Sequence, residues 1–256
     1  MLMIVAGAAG EIGTAFCRET IKNNIDCIGI ARNSLINLNS PIFTQVVCNL
    51  QSEKSIQNAF VNVDFAKYKK IIYLHAIGTD KFEPRGYPNI QPIETIPEDV
   101  YNTNVNTFKY LLRYCVHRIK GSNEKNNSNT KFRVAIVAGV PDKYSPFVIE
   151  SFCEAKFILR QYIQSSISMF PSWISGLSIN VTSTITKAAV RMRPYADTTY
   201  WLNPEEVVEK SFNELISKFS NYKEINITKD SPDYFEGYYL SKEALYEKWS
   251  RETGIK

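Results

Sequence analysis

Three glycines near the N-terminus have the spacing to hold a phosphate. Gly7, Gly10 and Gly13 follow the apolar run 1–5 and precede 14–21, which has the pattern of a helix. Gly7 permits a tight turn at positive φ, Gly10 lets the backbone approach an anion, and Gly13 lets the helix lie close on the strand. The helix N-terminus then presents unpaired N–H groups to a pyrophosphate. An ordinary glycine turn is the alternative. The order strand, glycine turn, helix favours dinucleotide binding by the loop, with Ala9, Glu11 and Ile12 as further contacts.

A second determinant stands at the end of the next apolar run, 26–31. An acid there accepts hydrogen bonds from the ribose hydroxyls of NAD, whereas an arginine pairs with the 2′-phosphate of NADP. The run ends in Arg32-Asn33-Ser34, with no Asp or Glu beside it. Arg32 is either a solvated surface residue or the phosphate partner, and the missing acid selects NADP over NAD.

These residues need a scaffold, and the chain alternates strands with helices. Strands are predicted at 1–5, 26–31, 45–50, 69–78, 132–140, 176–181 and 223–227. Helices are predicted at 14–21, 52–60, 100 to about 120, 146 to about 170, from Pro204, and at 241–251. The polar stretch 121–130 reads as a mobile surface loop. The fold class is α/β: a Rossmann-type doubly wound parallel sheet of about seven strands, helices on both faces, in one domain over 1–256. Hydrophobic residues are 44% of the chain, enough for a large core, and a net charge of +4 is too mild to indicate nucleic acid. The five cysteines lack C-x-x-C spacing and only two histidines are present, so reduced thiols, a cytoplasmic location and no metal are expected. No apolar run reaches ~18 residues, and the N-terminus lacks the pattern of a signal peptide. Neither a membrane nor a nucleic-acid partner is expected.

In this order and spacing the motifs resemble the short-chain dehydrogenase/reductase superfamily over almost the whole chain. The resemblance rests on the glycine turn, on Asn49-Leu50 at the end of the third strand, and on Leu74-His75-Ala76-Ile77-Gly78 after the fourth. It rests also on Asn104-Val105-Asn106-Thr107, Glu154-Ala155-Lys156, Asn180 and Pro204-Glu205-Glu206-Val207. It implies cofactor contacts from Asn49, Leu50, His75, Ala76, Asn104 and Lys156, with Lys156 holding the nicotinamide ribose and Asn104 supporting it. It implies a substrate lid at about 183–203, and a homodimer or homotetramer formed through the helices 100–120 and 146–170.

Two departures concern the chemistry. The resemblance places a tyrosine four residues before Lys156 and a serine thirteen before that, and the chain has Phe152 and Gly139. Phenylalanine has no proton to give, and acid–base help is worth ~10²–10⁴ in rate. Substitutes are His75, at the strand edge where ligands bind, and Tyr144, in the loop after the fifth strand. A hydrogen-bonded structural histidine and a packing tyrosine are the alternatives. Ser145 or Ser151 replaces the lost hydroxyl only if the loop is rebuilt. Lys187, Arg191 and Arg193 suit an anionic small-molecule substrate at the lid, or form a solvated basic face. Two functions follow: an NADP-dependent oxidoreductase with a non-standard proton-transfer residue, acting on a small carbonyl or hydroxyl compound, or a catalytically silent nucleotide sensor that supports a partner.

Overall fold

The computed structural model describes residues 1–32, 37–83, 87–89, 91–126, 129–218, 221–229 and 231–255. Its strands are β1 (Leu2–Ala6), β2 (Asp26–Ala31), β3 (Phe43–Val47), β4 (Lys70–His75), β5 (Lys131–Gly139), β6 (Ile174–Val181) and β7 (Tyr222–Ile227). Its helices are α1 (Glu11–Lys22), α2 (Glu53–Ala59), α3 (Glu98–Tyr101), α4 (Thr107–Asn126), α5 (Glu150–Met169), α6 (Lys187–Met192), α7 (Pro204–Ile216) and α8 (Lys242–Thr253). The strands form one parallel sheet in the order β3-β2-β1-β4-β5-β6-β7. The direction of winding reverses between β1 and β4. Ligands bind at such a switch point, outside the carboxyl ends of the strands.

The near-continuous apolar character of the central strands has a direct cause, since both faces are covered. Side chains alternate across the sheet. Ile71 and Tyr73 pack towards Phe108 and Leu111 of α4 and Leu159 of α5. Ile72 and Leu74 pack towards Phe16 of α1 and Val207 and Phe212 of α7. A third cluster joins Phe147, Ile149 and Cys153 to Leu245 and Trp249 of α8, and so seats the C-terminal helix beside the strand ends.

Four expectations are corrected. The first helix begins at Glu11, so Gly13 lies inside it. The third strand stops at Val47, because Asn49 Oδ1 accepts from Gln51 N at 3.0 Å and turns the chain. The stretch 121–130 is not structureless: α4 runs to Asn126, aided by Lys120 paired with Glu124 at 3.8 Å. The long helix expected from residue 100 is interrupted by a π-helical turn over Asn102–Asn106. There Asn104 Nδ2 donates to the Val100 carbonyl at 2.9 Å, taking the acceptor its own backbone N–H would use. Such π turns are frequent at functional sites. Asn33 and Ser34 lie outside the described residues. All five cysteines are free and buried, and among the described residues no helix is long and apolar enough to cross a membrane.

Candidate cofactor and catalytic site

The glycine loop makes a cradle that side chains would fill. Gly7 sits at φ +84, and a Cβ there would lie 2.9 Å from Ile77 Cγ1 and 3.0 Å from the Ala76 carbonyl oxygen. A Cβ on Gly13 would lie 2.2 Å from the Gly7 carbonyl oxygen, so α1 can approach the turn only without a side chain. Gly10 caps α1 with no side-chain hydrogen bond, leaving the N–H groups of the first turn open to an anion. Thr14 Oγ1 donates to the Ala8 carbonyl at 2.7 Å and ties helix to loop. This cradle fits the pyrophosphate of a dinucleotide. Ala9 is exposed at the loop tip, while Gly10, Glu11, Ile12 and Gly13 line a cavity of about 290 Å³ beside it. Arg32 and Asn49 are exposed at the ends of β2 and β3, Leu50 is buried, and none of the three lines that cavity.

Across the switch point the cavity wall is Ala76, Ile77, Gly78, Phe152 and Lys156. Lys156 is buried on α5, with its Nζ donating to the Ile77 carbonyl at 2.9 Å and standing 5.2 Å from the centre of the Phe152 ring. Burial lowers its pKa to about 8, Asp142 and Asp80 pull it up, and Arg160 pushes it down. Asn104 grips the loop after β4 from both sides: Oδ1 accepts from Thr79 N at 3.3 Å and Nδ2 donates to Thr79 O at 3.1 Å. A Cβ on Gly78 would meet Lys156 Nζ and Phe152 at 3.4 Å and Asn104 Oδ1 at 3.7 Å, so all three converge on this loop.

His75 is not available to a ligand. It is fully buried on the α4 side of the sheet, its Nδ1 2.9 Å from the Tyr73 hydroxyl and its ring 5.3 Å from that of Phe108. Burial and the Lys156 ammonium push its pKa well below the usual range, against the pull of the Asn104 backbone, so the imidazole stays neutral. Tyr144 is half-exposed and stacks on Tyr239 at 5.4 Å, outside the cavity lining. Ser145 donates to Glu154 at 3.1 Å and Ser151 is bound to Glu83; neither lines the cavity.

The cations Lys187, Arg191 and Arg193 do not form a cluster. In α6, Lys187 and Arg191 are one turn apart on the solvent side, while Ala188 and Ala189 face the cavity. Arg193 does line it, but its guanidinium is sandwiched 4.2 Å from Trp201 and 4.6 Å from Trp249. Its Nη1 meets Glu252 at 3.2 Å and Nη2 donates to Ser183 Oγ at 2.8 Å. The segment 183–203 meets the cradle directly, where Lys187 N donates to Glu11 Oε1 at 3.1 Å. Tyr234, Tyr238, Tyr239 and Lys248 complete the wall from the C-terminal segment, and Lys248 is paired with Asp233 at 3.1 Å. The aromatic density of 234–239 was the sequence signal for this wall.

No protein-family model and no curated protein matches the sequence. Solved structures match its fold. A 3-ketoacyl-(acyl-carrier-protein) reductase from Brucella melitensis, complexed with NADH, superposes with a TM-score of 0.68 at 14% identity, over 88% of this chain and 96% of that one. A short chain dehydrogenase from Burkholderia cenocepacia J2315, in complex with NADP, superposes with a TM-score of 0.68 at 11% identity, over 97% of this chain and 96% of that one. The chain has the short-chain dehydrogenase/reductase fold. Serine dehydrogenase from Escherichia coli is a further match, with a TM-score of 0.65 and 13% identity over 88% and 97% of the two chains.

Within the short-chain dehydrogenase/reductase fold, Gly139 has a physical reason of its own. The buried Asp142 carboxylate folds back over it: Oδ2 accepts from Gly139 N at 2.8 Å, and Oδ1 would lie 2.5 Å from a Cβ placed there. Burial raises the Asp142 carboxyl to about 6, against the Gly139 N–H, Arg160 at 3.5 Å and Lys156. A serine at 139 therefore displaces a carboxylate. Gly139→Ser is expected to lower stability by ~1–3 kcal/mol, seen as a fall in urea midpoint at constant slope. Because the clash is with one side chain, Gly139→Ser/Asp142→Ala should be more stable than the two single losses added, by at least ~0.5 kcal/mol. Strict additivity would rule this packing out.

Proposed function

We propose that the protein is an NADP(H)-dependent oxidoreductase of the short-chain dehydrogenase/reductase kind, with a proton-transfer residue other than tyrosine. The observation that carries the reading is the cavity that joins the glycine cradle to Lys156 and Asp80. A silent nucleotide sensor has no need of open space lined by ionisable groups at that point. When bound, the cofactor supplies the hydride. Gly7, Gly10 and Gly13 bind its pyrophosphate, and Lys156 Nζ holds the ribose hydroxyls. Asn104 keeps the loop that carries Ile77, the acceptor of Lys156, in register. Arg32 pairs with the 2′-phosphate, with Asn49 and Leu50 on the adenine side. The similar structures' complexes with NADH and with NADP support a nicotinamide cofactor.

For the substrate we infer a small carbonyl or hydroxyl compound with an apolar body. Arg193 and Lys248 are held by Glu252 and Asp233, and the remaining wall is largely Phe152, Ile149, Leu245, Trp249 and tyrosines. This replaces the anionic ligand expected from Lys187, Arg191 and Arg193. A homodimer through the exposed faces of α4 and α5 is part of the same reading.

Calorimetric titration of the purified protein with NADPH and NADH tests the reading. NADPH is expected to bind at least ~10-fold tighter than NADH, and Arg32→Ala should remove that preference, a difference of ~1.4 kcal/mol. Equal affinities would overturn the assignment of Arg32, and no binding of either would overturn the oxidoreductase.

A further inference from the structure

We propose that Asp80 is the residue that moves the proton in this site, in the place where the tyrosine is missing. The inference rests on the oxidoreductase reading and names the group that reading leaves open. Asp80 is half-buried in the wall of the cavity that Gly78, Phe152, Lys156 and Arg193 also line, within electrostatic reach of Arg193 and Lys156. Its position is built rather than incidental. Both backbone polar atoms of the preceding residue, Thr79, are bonded to the side chain of Asn104 at 3.1–3.3 Å. Asn104 is in turn held by Val100 in the π turn. A distortion of the helix is thus spent on fixing the two residues that lead from Lys156 to Asp80.

The other charged groups of the wall are committed elsewhere, and its third phenol, Tyr234, packs 4.8 Å from Lys248 Nζ and 5.0 Å from the Tyr238 ring. Glu11 sits at the cradle end and accepts from Lys187 N. Lys156 donates to Ile77. Arg193 and Lys248 are paired with carboxylates. Tyr238 and Tyr239 have their phenols pushed further from ionisation by burial, so neither can act as a base near neutral pH. His75 and Asp142 stand outside the cavity lining. Among the described residues Asp80 is the carboxyl group that lines the cavity away from the cradle end, with its own backbone N–H donating to it. Burial raises its pKa, and Arg193 and Lys156 hold the rise in check. That is the environment of a carboxyl group able to exist in both forms during a reaction.

In the reducing direction the substrate carbon receives the hydride, and with it the electron pair. The carboxyl O–H of Asp80 breaks, an O–H forms on the substrate oxygen, and Asp80 is left as a carboxylate facing the Lys156 ammonium and the Arg193 guanidinium. A proton taken up from bulk solvent restores the Asp80 carboxyl group, so one proton is consumed per carbonyl reduced. In the oxidising direction Asp80 begins as the carboxylate and accepts the hydroxyl proton. Asp80 is the catalytic residue in this scheme and Asn104 the positioning one.

The test uses protein carrying ¹³C at the aspartate side-chain carboxyls, saturated with NADPH. The Asp80 resonance is assigned by its loss in Asp80→Asn. It is expected to titrate at least about one pH unit above the ordinary aspartate value of ~3.9. In parallel, NADPH oxidation is followed over pH 5–9 with a panel of aliphatic and aromatic aldehydes and ketones. Asp80→Asn should cut turnover by ~10²–10⁴ and flatten the pH profile, while the NADPH dissociation constant stays within about threefold. Asp80→Glu should restore part of the turnover and of the pH profile. An Asp80 resonance titrating at or below ~3.9 in the NADPH-bound protein, or unchanged turnover in Asp80→Asn, overturns the proposal. Where no compound of the panel is turned over, the titration decides. Failure of the wild type to bind NADPH overturns the oxidoreductase reading itself, and is recognised in the dissociation constant rather than in the carboxyl titration.

Discussion

Lys156→Met is expected to make the protein more stable at neutral pH while weakening its hold on NADPH. The ammonium is buried, and its pKa is lowered from 10.5 to about 8. A lowered lysine value means that the fold disfavours the charged form. That penalty is present in full below about 8, and it is relieved as the pH rises from about 8 towards 10.5, because over that interval the unfolded chain binds more protons than the folded one. At ~1.36 kcal/mol per tenfold change in proton affinity the penalty is on the order of 3 kcal/mol. Methionine removes it, keeps most of the volume, and forfeits the hydrogen bond to Ile77, worth about 1 kcal/mol. A net gain of roughly 1–2 kcal/mol at pH 7 should remain. Urea unfolding at pH 7 and pH 10 checks the sign: the wild type should close the gap to the variant as the pH rises. A variant less stable than wild type at pH 7 would mean that Lys156 is there for the fold. A more stable one marks a residue kept at a cost, as functional residues are.

Gly13→Ala should damage both stability and cofactor binding, and Gly10→Ala should separate the two. The Cβ at 13 would lie 2.2 Å from a backbone oxygen, 2.8 Å from the Gly7 carbonyl carbon and 3.0 Å from Ala8 Cα, none of which can rotate away. Helix α1 must move off the turn, at a cost of ~1–3 kcal/mol or more. Because the same movement opens the cradle, NADPH affinity should fall by about 100-fold, or ~2.7 kcal/mol. At Gly10 the backbone is ordinary, φ −78 and ψ 158, and the nearest atom to a Cβ is 3.4 Å away. Gly10→Ala is therefore expected to leave the urea midpoint nearly unchanged, within ~0.5 kcal/mol, while still lowering NADPH affinity, because only a ligand would meet the new methyl group. If Gly10→Ala leaves affinity intact, the pyrophosphate does not lie against this loop.

The helix face built by α4 and α5 and the seven-stranded sheet were legible in the chain because they depend on local pattern. Apolar runs bounded by polar turns make buried parallel strands whatever lies beyond them, and the three-and-four spacing of Val105, Phe108, Leu112 and Cys115 marks a buried helix face. Gly7, Gly10 and Gly13 were legible for the same reason, since strand, turn and helix are contiguous. Boundaries were less so. Glu11 and Ile12 belong to the helix because Gly13 packs on Gly7, and the π turn exists because Asn104 reaches back to Val100 and across to Thr79.

The polar side of the site required the tertiary structure. Lys187, Arg191 and Arg193 are neighbours in the chain, yet the short helix α6 turns two of them to solvent and a glutamate from α8 neutralises the third. His75 is at the edge of its strand, but alternation across the sheet sends its ring under Phe108 rather than into the cavity. Nothing in the local sequence around Asp80 or Asp142 sets either acid apart. Asp142 matters because it fills the space beside Gly139, and Asp80 because the segment after α6 and helix α5 bring Arg193 and Lys156 within electrostatic reach. What the sequence by itself determined was the scaffold and the anion cradle, whose determinants lie within a few residues of one another. Which charges face the cavity was decided only by tertiary structure, because a charge in a cavity is set by partners that arrive from distant segments.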